Sequence, residues 1–411
     1  MLEDYSGDRR SAQKEARARA HLAREMYHSV RVCTPHQLLR YTLHGGGWEQ
    51  ILAEAPGACV IFDEIHSYQP ELAGLTLGTA RLLAERFQAR IMFASATLPQ
   101  FLQKRIHELI PCAVVEPDPA LSRDRQVLDR KRHVVRIVDG NVLGSIDAIR
   151  SDALDGRSVL VVCNHVKAAQ TLYQRLSSIP SCGDVVLFHS RFNMEDRCRI
   201  EQNLQNPPLP RILIATQVVE VSLDIDFDRG YFEPATIDAL TQRMGRVNRR
   251  GDRPPAPVII FRKAVGSYPI YQESLTQRTI AELDCVNNPV AESDLIRICD
   301  SVYAAGYTLE QQRDYEERLN HPYFLEFEER MLAGRSEPWV EKVLGESGDG
   351  RADVLPRSLL PRHRTLMSNG LWLDADALLV NVRTATYRDR IDWTQDPPLV
   401  DAEYSANEGL R

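Results

Sequence analysis

Short apolar runs that stop abruptly at polar residues recur along this chain, and stretches of helical periodicity separate them. Residues 9–28, rich in Ala, Arg and Glu, predict an exposed helix. Apolar runs at 29–33, 58–62 and 90–94 predict strands, with a Leu- and Ala-rich helix over 71–87 between the last two. A polar stretch, 116–130, reads as a linker. Beyond it, runs at 158–163, 185–189, 211–215 and 258–261 predict four more strands, interleaved with helices near 166–177, 195–205 and 236–244. Buried strands alternating with helices indicate an α/β fold with parallel sheets. After about residue 265 the pattern weakens. Residues 308–333 look helical and charged, and Pro356 and Pro361 punctuate a loop.

Length and charge refine this picture. A chain of 411 residues accommodates two or three domains. The expected division is 1–125, 126–265 and a mixed, largely helical region 266–411. No run of 18 apolar residues is present, so no membrane span or membrane partner is expected. The first 31 residues lack the apolar core of a signal peptide. None of the eight cysteines forms a C-x-x-C pair, which suggests reduced thiols and a cytoplasmic location. The formal net charge of −7 speaks mildly against nucleic-acid binding. A local basic groove would suffice, however. Arg243, Arg246, Arg249, Arg250 and Arg253 fall within eleven residues and form either such a groove or a solvated basic face.

The polar clusters share one placement, at the carboxyl ends of predicted strands, where parallel sheets bind ligands. Asp63-Glu64-Ile65-His66 follows the run 58–62. An Asp there can hold Mg²⁺ through water, and the adjacent Glu can polarise an attacking water. Taken alone, the tetrapeptide also describes an acidic strand-to-loop turn. Ser95-Ala96-Thr97 ends the next strand, and its hydroxyls are placed to bond the carboxylates. Thr216, after the run 211–215, is placed to meet a nucleic-acid phosphate, and Asp224 to accept from a ribose hydroxyl. In Gln242-Arg243-Met244-Gly245-Arg246-Val247-Asn248-Arg249, helical spacing would put Gln242, Arg246 and Arg249 on one face. Two guanidiniums there suit a phosphoryl-transfer transition state. A structural arginine helix is the alternative.

The order of these elements resembles the core of superfamily 2 helicases, in which two RecA-like domains close on ATP. Thr34-Pro35-His36-Gln37-Leu38-Leu39 resembles the family element that contacts a nucleic-acid strand, and Asn164 the element that opens the second domain. The segments DEIHSY from Asp63, SATLP from Ser95, FHSRFNMEDR from Phe188, TQVVEVSLDIDFD from Thr216 and PATIDALTQRMGRVNRRG from Pro234 narrow the resemblance. Across roughly residues 30–262 they are similar to the CRISPR-associated helicase–nuclease of type I interference systems.

The resemblance implies ATP and Mg²⁺ as cofactors, with Asp63 and Glu64 at the metal, and 3′-to-5′ movement on single-stranded DNA. It implies catalytic roles for Asp63, Glu64, Arg246 and Arg249, and nucleotide contacts from His66, Gln242 and Asp224. Ser95 and Thr97 would couple nucleotide state to movement. Thr34, Pro35, His189, Arg191 and Thr216 would meet the nucleic acid. The implied partner is an RNA-guided surveillance complex.

Two family features are missing from the 411 residues. There is no His-Asp dipeptide, so no nuclease activity is assigned. There is also no Gly-Lys dipeptide, hence no G-x-x-x-x-G-K-[ST] phosphate loop. The expectation is a chain beginning inside its first RecA-like domain, with apolar surface exposed at Val32, Ile61 and Met92. A separate polypeptide supplying that half is one possible partner. Two alternatives are a binding remnant that cannot hydrolyse ATP and a DNA-repair helicase.

Overall fold

The computed structural model describes residues 9–25, 29–95, 97–179, 182–220, 223–266, 270–325, 327 and 350–411. These form two compact units. The first combines residues up to 115 with a returning segment, 303–350, and the second combines 116–302 with 351–411. The sequence suggested one contiguous accessory region after 265. Its residues are instead shared: 303–350 group with the first unit, 266–302 and 351–411 with the second.

In the first unit, strands β1 (Cys59–Asp63) and β2 (Arg90–Ala94) pair in parallel, with Asp63 opposite Ala94. Helix Pro70–Phe87 joins them. Proline opens its first turn, where a missing N–H costs nothing, and Gln88 closes it in the left-handed region at φ 53°. Its buried face includes Ala73, Leu75, Leu77 and Leu83. Helix Leu309–Leu319 packs across it. Gly74 and Gly78 permit that approach. A Cβ on Gly74 would lie 2.5 Å from the Tyr315 carbonyl oxygen, and one on Gly78 would lie 2.6 Å from the Phe324 ring. The strand expected at 29–33 is not formed: Val30 and Val32 are 80% and 96% exposed, with no neighbouring strand to pair with. The expected N-terminal helix spans Arg9–Glu25. Its residues 26–28 lie outside the described residues, as do 328–333 of the predicted charged helix.

The second unit is built on a seven-stranded sheet. Strands β3 (Lys131–Val138), β4 (Val159–Val162), β5 (Val185–Phe188), β6 (Ile212–Ala215), β7 (Arg229–Phe232), β8 (Ala256–Phe261) and β9 (Val290–Ala291) take the order β5-β6-β4-β7-β8-β3-β9. All pairs are parallel except β3 with β9. Every residue of β4 and β6 is buried, as expected where helices cover both faces of a parallel sheet. Strands β3, β7 and β9 were not legible in the sequence. In β7, Arg229-Gly230 interrupts the apolar run, and in β3 charged residues mask it. The supposed linker carries a helix, Ser122–Leu128. The C-terminal segment adds a small sheet of β10 (Arg351–Pro356), β11 (Val380–Arg383), β12 (Ile391–Asp392) and β13 (Leu399–Val400), in the order β11-β10-β13-β12. A terminal hairpin follows, of β14 (Tyr404–Ser405) and β15 (Gly409–Leu410). No described helix is long and apolar enough to cross a membrane. All eight cysteines are free thiols.

Candidate functional site

In the first unit the site grows from the paired ends of β1 and β2. Asp63 ends β1 with an exposed side chain. The next residue, Glu64, bends into the left-handed region at φ 52°, rare for a residue with a Cβ. Its N–H donates to the Ala94 carbonyl at 2.9 Å, which ties the bend to β2. The turn folds His66 back over the strand ends, where its ring is 2% exposed. Nδ1 lies 2.6 Å from Ser95 Oγ and Nε2 lies 3.1 Å from Thr97 Oγ1. His66, Ser95 and Thr97 therefore form one hydrogen-bonded group, and Ala96 lies outside the described residues. Glu64 Oε2 sits 3.2 Å from His66 Nδ1 but is enclosed without a hydrogen-bond partner. A carboxylate oxygen in that state suits a water or cation ligand. The carboxylates thus fit the metal-facing half of a nucleotide site, while the phosphate-cradling loop is absent from the sequence. Thr34 caps helix Pro35–Thr42 in a capping box with Gln37. Pro35 fills its first turn, so both residues have a local structural role.

In the second unit, polar residues crowd the carboxyl ends of four adjacent strands: Asn164 after β4, His189 after β5, Thr216 after β6 and Glu233 after β7. Arg243, fully buried, holds three of these segments together. It donates from Nε to Glu220 Oε1 at 2.8 Å, from Nη1 to the Glu233 carbonyl at 2.9 Å and from Nη2 to Asn164 Oδ1 at 3.2 Å. Nη2 also donates to Tyr271 Oη at 2.8 Å. Burial pushes the Glu220 carboxyl up, against the pull of Arg243. Glu233 accepts from the N–H groups of Asn164 and Val265 at 2.6 and 2.7 Å, and burial raises its carboxyl too. Sequence reasoning counted Arg243 only as part of a basic cluster and missed Glu220, Glu233 and Tyr271. The sole available signal was an arginine among apolar neighbours in the helix before Gly245.

The arginine segment differs from its predicted geometry. The helix spans Ile237–Met244 and ends at Gly245, so Gln242, Arg246 and Arg249 do not share a helical face. Gln242, half-buried, occupies the last turn. Arg246 is 8% exposed and donates to the carbonyls of Val219 and Glu220 at 2.8 and 2.7 Å. Arg249 is exposed and pairs with the well-exposed Asp224 at 2.9 Å. Arg253 pairs with Asp226 and Asp228. Four of the five clustered arginines are therefore engaged internally, which explains how so basic a run belongs to an acidic chain.

Two expected nucleic-acid contacts are also relocated. Thr216 is 3% exposed and begins the turn after β6. His189 is fully buried; Nε2 lies 3.0 Å from the Glu408 carbonyl, and Nδ1 accepts from the Arg191 N–H at 3.1 Å. Neither side chain is open to a phosphate, because the terminal hairpin covers His189 and the sheet end encloses Thr216. Arg191 is half-buried, with its guanidinium on the Tyr387 ring and Nη1 donating to Tyr387 Oη at 3.1 Å.

Comparison with known proteins places the chain beside one family. Residues 155–252 match the family described as CRISPR-associated nuclease/helicase Cas3, C-terminal. A CRISPR-associated nuclease/helicase Cas3 from Methanothermobacter thermautotrophicus is 31% identical over 254 residues, covering 56% of this chain and 28% of that protein. A putative counterpart from Methanocaldococcus jannaschii is 25% identical over 321 residues, covering 72% of this chain and 40% of the relative. The chain thus spans well under half the length of these curated relatives. In fold, the crystal structure of T. fusca Cas3-ATP aligns with a TM-score of 0.63 at 20% identity, over 92% of this chain and 56% of that one.

Proposed function

We propose, from the premise that the chain is a relative of the CRISPR-associated nuclease/helicase Cas3, that it carries the helicase portion of such a protein. The activity we assign is ATP-driven, 3′-to-5′ movement on and unwinding of DNA in antiviral defence. The observation that carries this reading is the hydrogen-bonded group of His66, Ser95 and Thr97 beside Glu64. It joins two strand-end motifs through one imidazole, as coupling nucleotide state to movement requires. In this reading Asp63 would hold Mg²⁺, which would neutralise phosphate charge, and Glu64 would polarise the attacking water. Bound ATP supplies the phosphoryl group. Asp224 and Gln242 contact the nucleotide, and Arg249, released from Asp224, meets developing phosphate charge. Arg246 contributes through its hold on the Val219–Glu220 carbonyls. The partners are single-stranded DNA and an RNA-guided surveillance complex.

Hydrolysis requires a phosphate-binding loop, which the 411 residues do not contain. The exposed face of the β1–β2 pair supports a covering polypeptide that brings one. Ile61 and Met92 are 60% and 53% exposed there, although parallel strands are ordinarily covered on both faces. The test is DNA-stimulated ATP hydrolysis by the chain mixed with a polypeptide carrying the loop. Activity should appear only in the mixture, and E64Q should lower it by roughly 10²-fold or more. DNA binding without hydrolysis in the mixture would instead support the second reading, a module that binds DNA without turning over ATP.

A further inference from the structure

Strand β5 forms one edge of the seven-stranded sheet, and β6 is its only strand neighbour among the described residues. Ile212 N–H donates to the Asp184 carbonyl at 3.0 Å, and Thr216 N–H to the Phe188 carbonyl at 3.2 Å. Backbone groups point to alternate sides along a strand, so Asp184, Val186 and Phe188 face β6. Val185 and Leu187 turn their N–H and C=O groups outward, where no hydrogen bond among the described residues meets them.

The surroundings of that edge form a groove. Helix Val166–Ser177 leads from β4 into β5, and helix Met194–Gln205 leads from β5 to β6. In the order β5-β6-β4 these connections run in opposite directions, and right-handed connections then put the two helices on opposite faces. A groove of about 540 Å³ is lined by Tyr173 of the first helix, by Asn203 of the second and by residues 184–187 between them. Lining from both faces and from the strand between them means that the groove wraps the open edge. Ala406 and Asn407, at the tip of the terminal hairpin, wall it as well. The hairpin already bonds the backbone just beyond β5, where Leu410 N–H donates to the Arg191 carbonyl at 2.9 Å. The groove continues that contact back along the strand.

The lining selects the guest. Arg199 is satisfied by Asp196 Oδ1 and by the Ala406 carbonyl, each at 2.9 Å. Asp184 is exposed and has no ion pair among the described residues, which leaves the groove one uncompensated charge, a negative one. A carboxylate there repels a phosphate backbone and attracts lysine or arginine. The four residues of β5 span roughly 13 Å, the length of a short extended guest.

We propose that the β5 edge docks a basic, extended polypeptide, which joins the sheet as an eighth strand. Val185 and Leu187 supply the backbone pairing, Asp184 selects a cationic side chain, and Asn203 and Asn407 offer amides to the guest. The proposal is independent of the nucleotide and DNA readings. An acidic residue on a sheet edge can also serve to repel other strands, and the experiment separates the two roles.

Fluorescence anisotropy of a labelled hexapeptide alternating valine and lysine, titrated with the full chain, should show saturable binding below about 1 mM. Amide exchange over residues 183–190, read by mass spectrometry, should slow in the complex. V185P removes an outward N–H at the first position of an edge strand, where proline is tolerated. It should keep the circular dichroism of the unsubstituted chain and weaken the peptide about tenfold. D184K should reverse the preference, so that a hexapeptide alternating valine and glutamate binds better than the lysine peptide. No saturable binding by the unsubstituted chain overturns the proposal and leaves Asp184 as a guard of the edge. Equal binding of the lysine and glutamate peptides, or full binding by V185P, also overturns it. Displacement of the peptide by a single-stranded oligodeoxynucleotide that D184K binds more tightly marks a nucleic-acid groove and overturns the polypeptide assignment.

Discussion

At the scale of single residues, His189 shows how environment decides a role. Its ring is fully buried, with both nitrogens engaged by the backbone, and burial pushes its pKa down from 6.5 to about 3. The folded chain therefore holds this imidazole neutral where the unfolded chain would protonate it. Stability is untouched above the unfolded value of 6.5 and falls as pH drops from there towards 3, since the unfolded state then binds more protons. Between about pH 7 and 5 the loss attributable to His189 is roughly 2 kcal/mol. H189Q, which keeps a donor for the Glu408 carbonyl, should flatten that part of the curve in urea unfolding at the two pH values. His133, also buried and shifted down, contributes in the same direction and leaves a residual slope.

Individual elements here depend on close backbone approach as well as on apolar area. Helix Pro70–Phe87 carries glycine at 74 and 78, on the face crossed by Leu309–Leu319. Helix propensity alone predicts that G74A stabilises by about 1 kcal/mol. The Tyr315 carbonyl, 2.5 Å from the new Cβ, predicts the opposite. A backbone oxygen has no rotamer to change, so the helices must move apart. G74A should destabilise the first unit by about 1–3 kcal/mol, read as a lower melting temperature. A rise would mean that the crossing yields easily. The same scale explains the unformed strand at 29–33. An apolar run predicts a strand only where a neighbour completes its ladder, and Val30 and Val32 have none.

At the scale of the whole molecule, the two units differ in how well each covers its sheet. In the second, β4 and β6 are buried throughout; in the first, β1 and β2 stand as a two-stranded pair with Ile61 and Met92 exposed. Exposed apolar strands invite association. I61K/M92K should reduce concentration-dependent light scattering while leaving the far-ultraviolet circular dichroism unchanged. It should also abolish rescue by the loop-bearing polypeptide, if that polypeptide covers this face. Limited proteolysis should leave a fragment of the second unit, and a stable fragment from the first alone would contradict this account of coverage.

Much of the α/β pattern, including the β1–β2 pair and β4, β5, β6 and β8 of the seven-stranded sheet, follows from local apolar runs. Such runs have few ways to be buried, which is why β1, β2, β4, β5 and β6 were legible within a residue or so. The strand-end placement of Asp63, Glu64, His66, Ser95 and Asn164 follows from the same logic, and so does the resemblance those motifs carry. The sequence alone also determines that no Gly-Lys phosphate loop lies within these 411 residues. Only the tertiary structure decided which arginines are free. Charge along the chain does not reveal that Arg243 is buried against Glu220, that Arg253 is held by Asp226 and Asp228, or that Arg191 has no carboxylate partner among the described residues. Those partners come from segments distant in sequence, and an ion pair depends on separation in space. The return of 303–350 to the first unit and the clasp of 404–411 on His189 were hidden for the same reason. Each is a contact between surfaces that do not exist until both segments have folded.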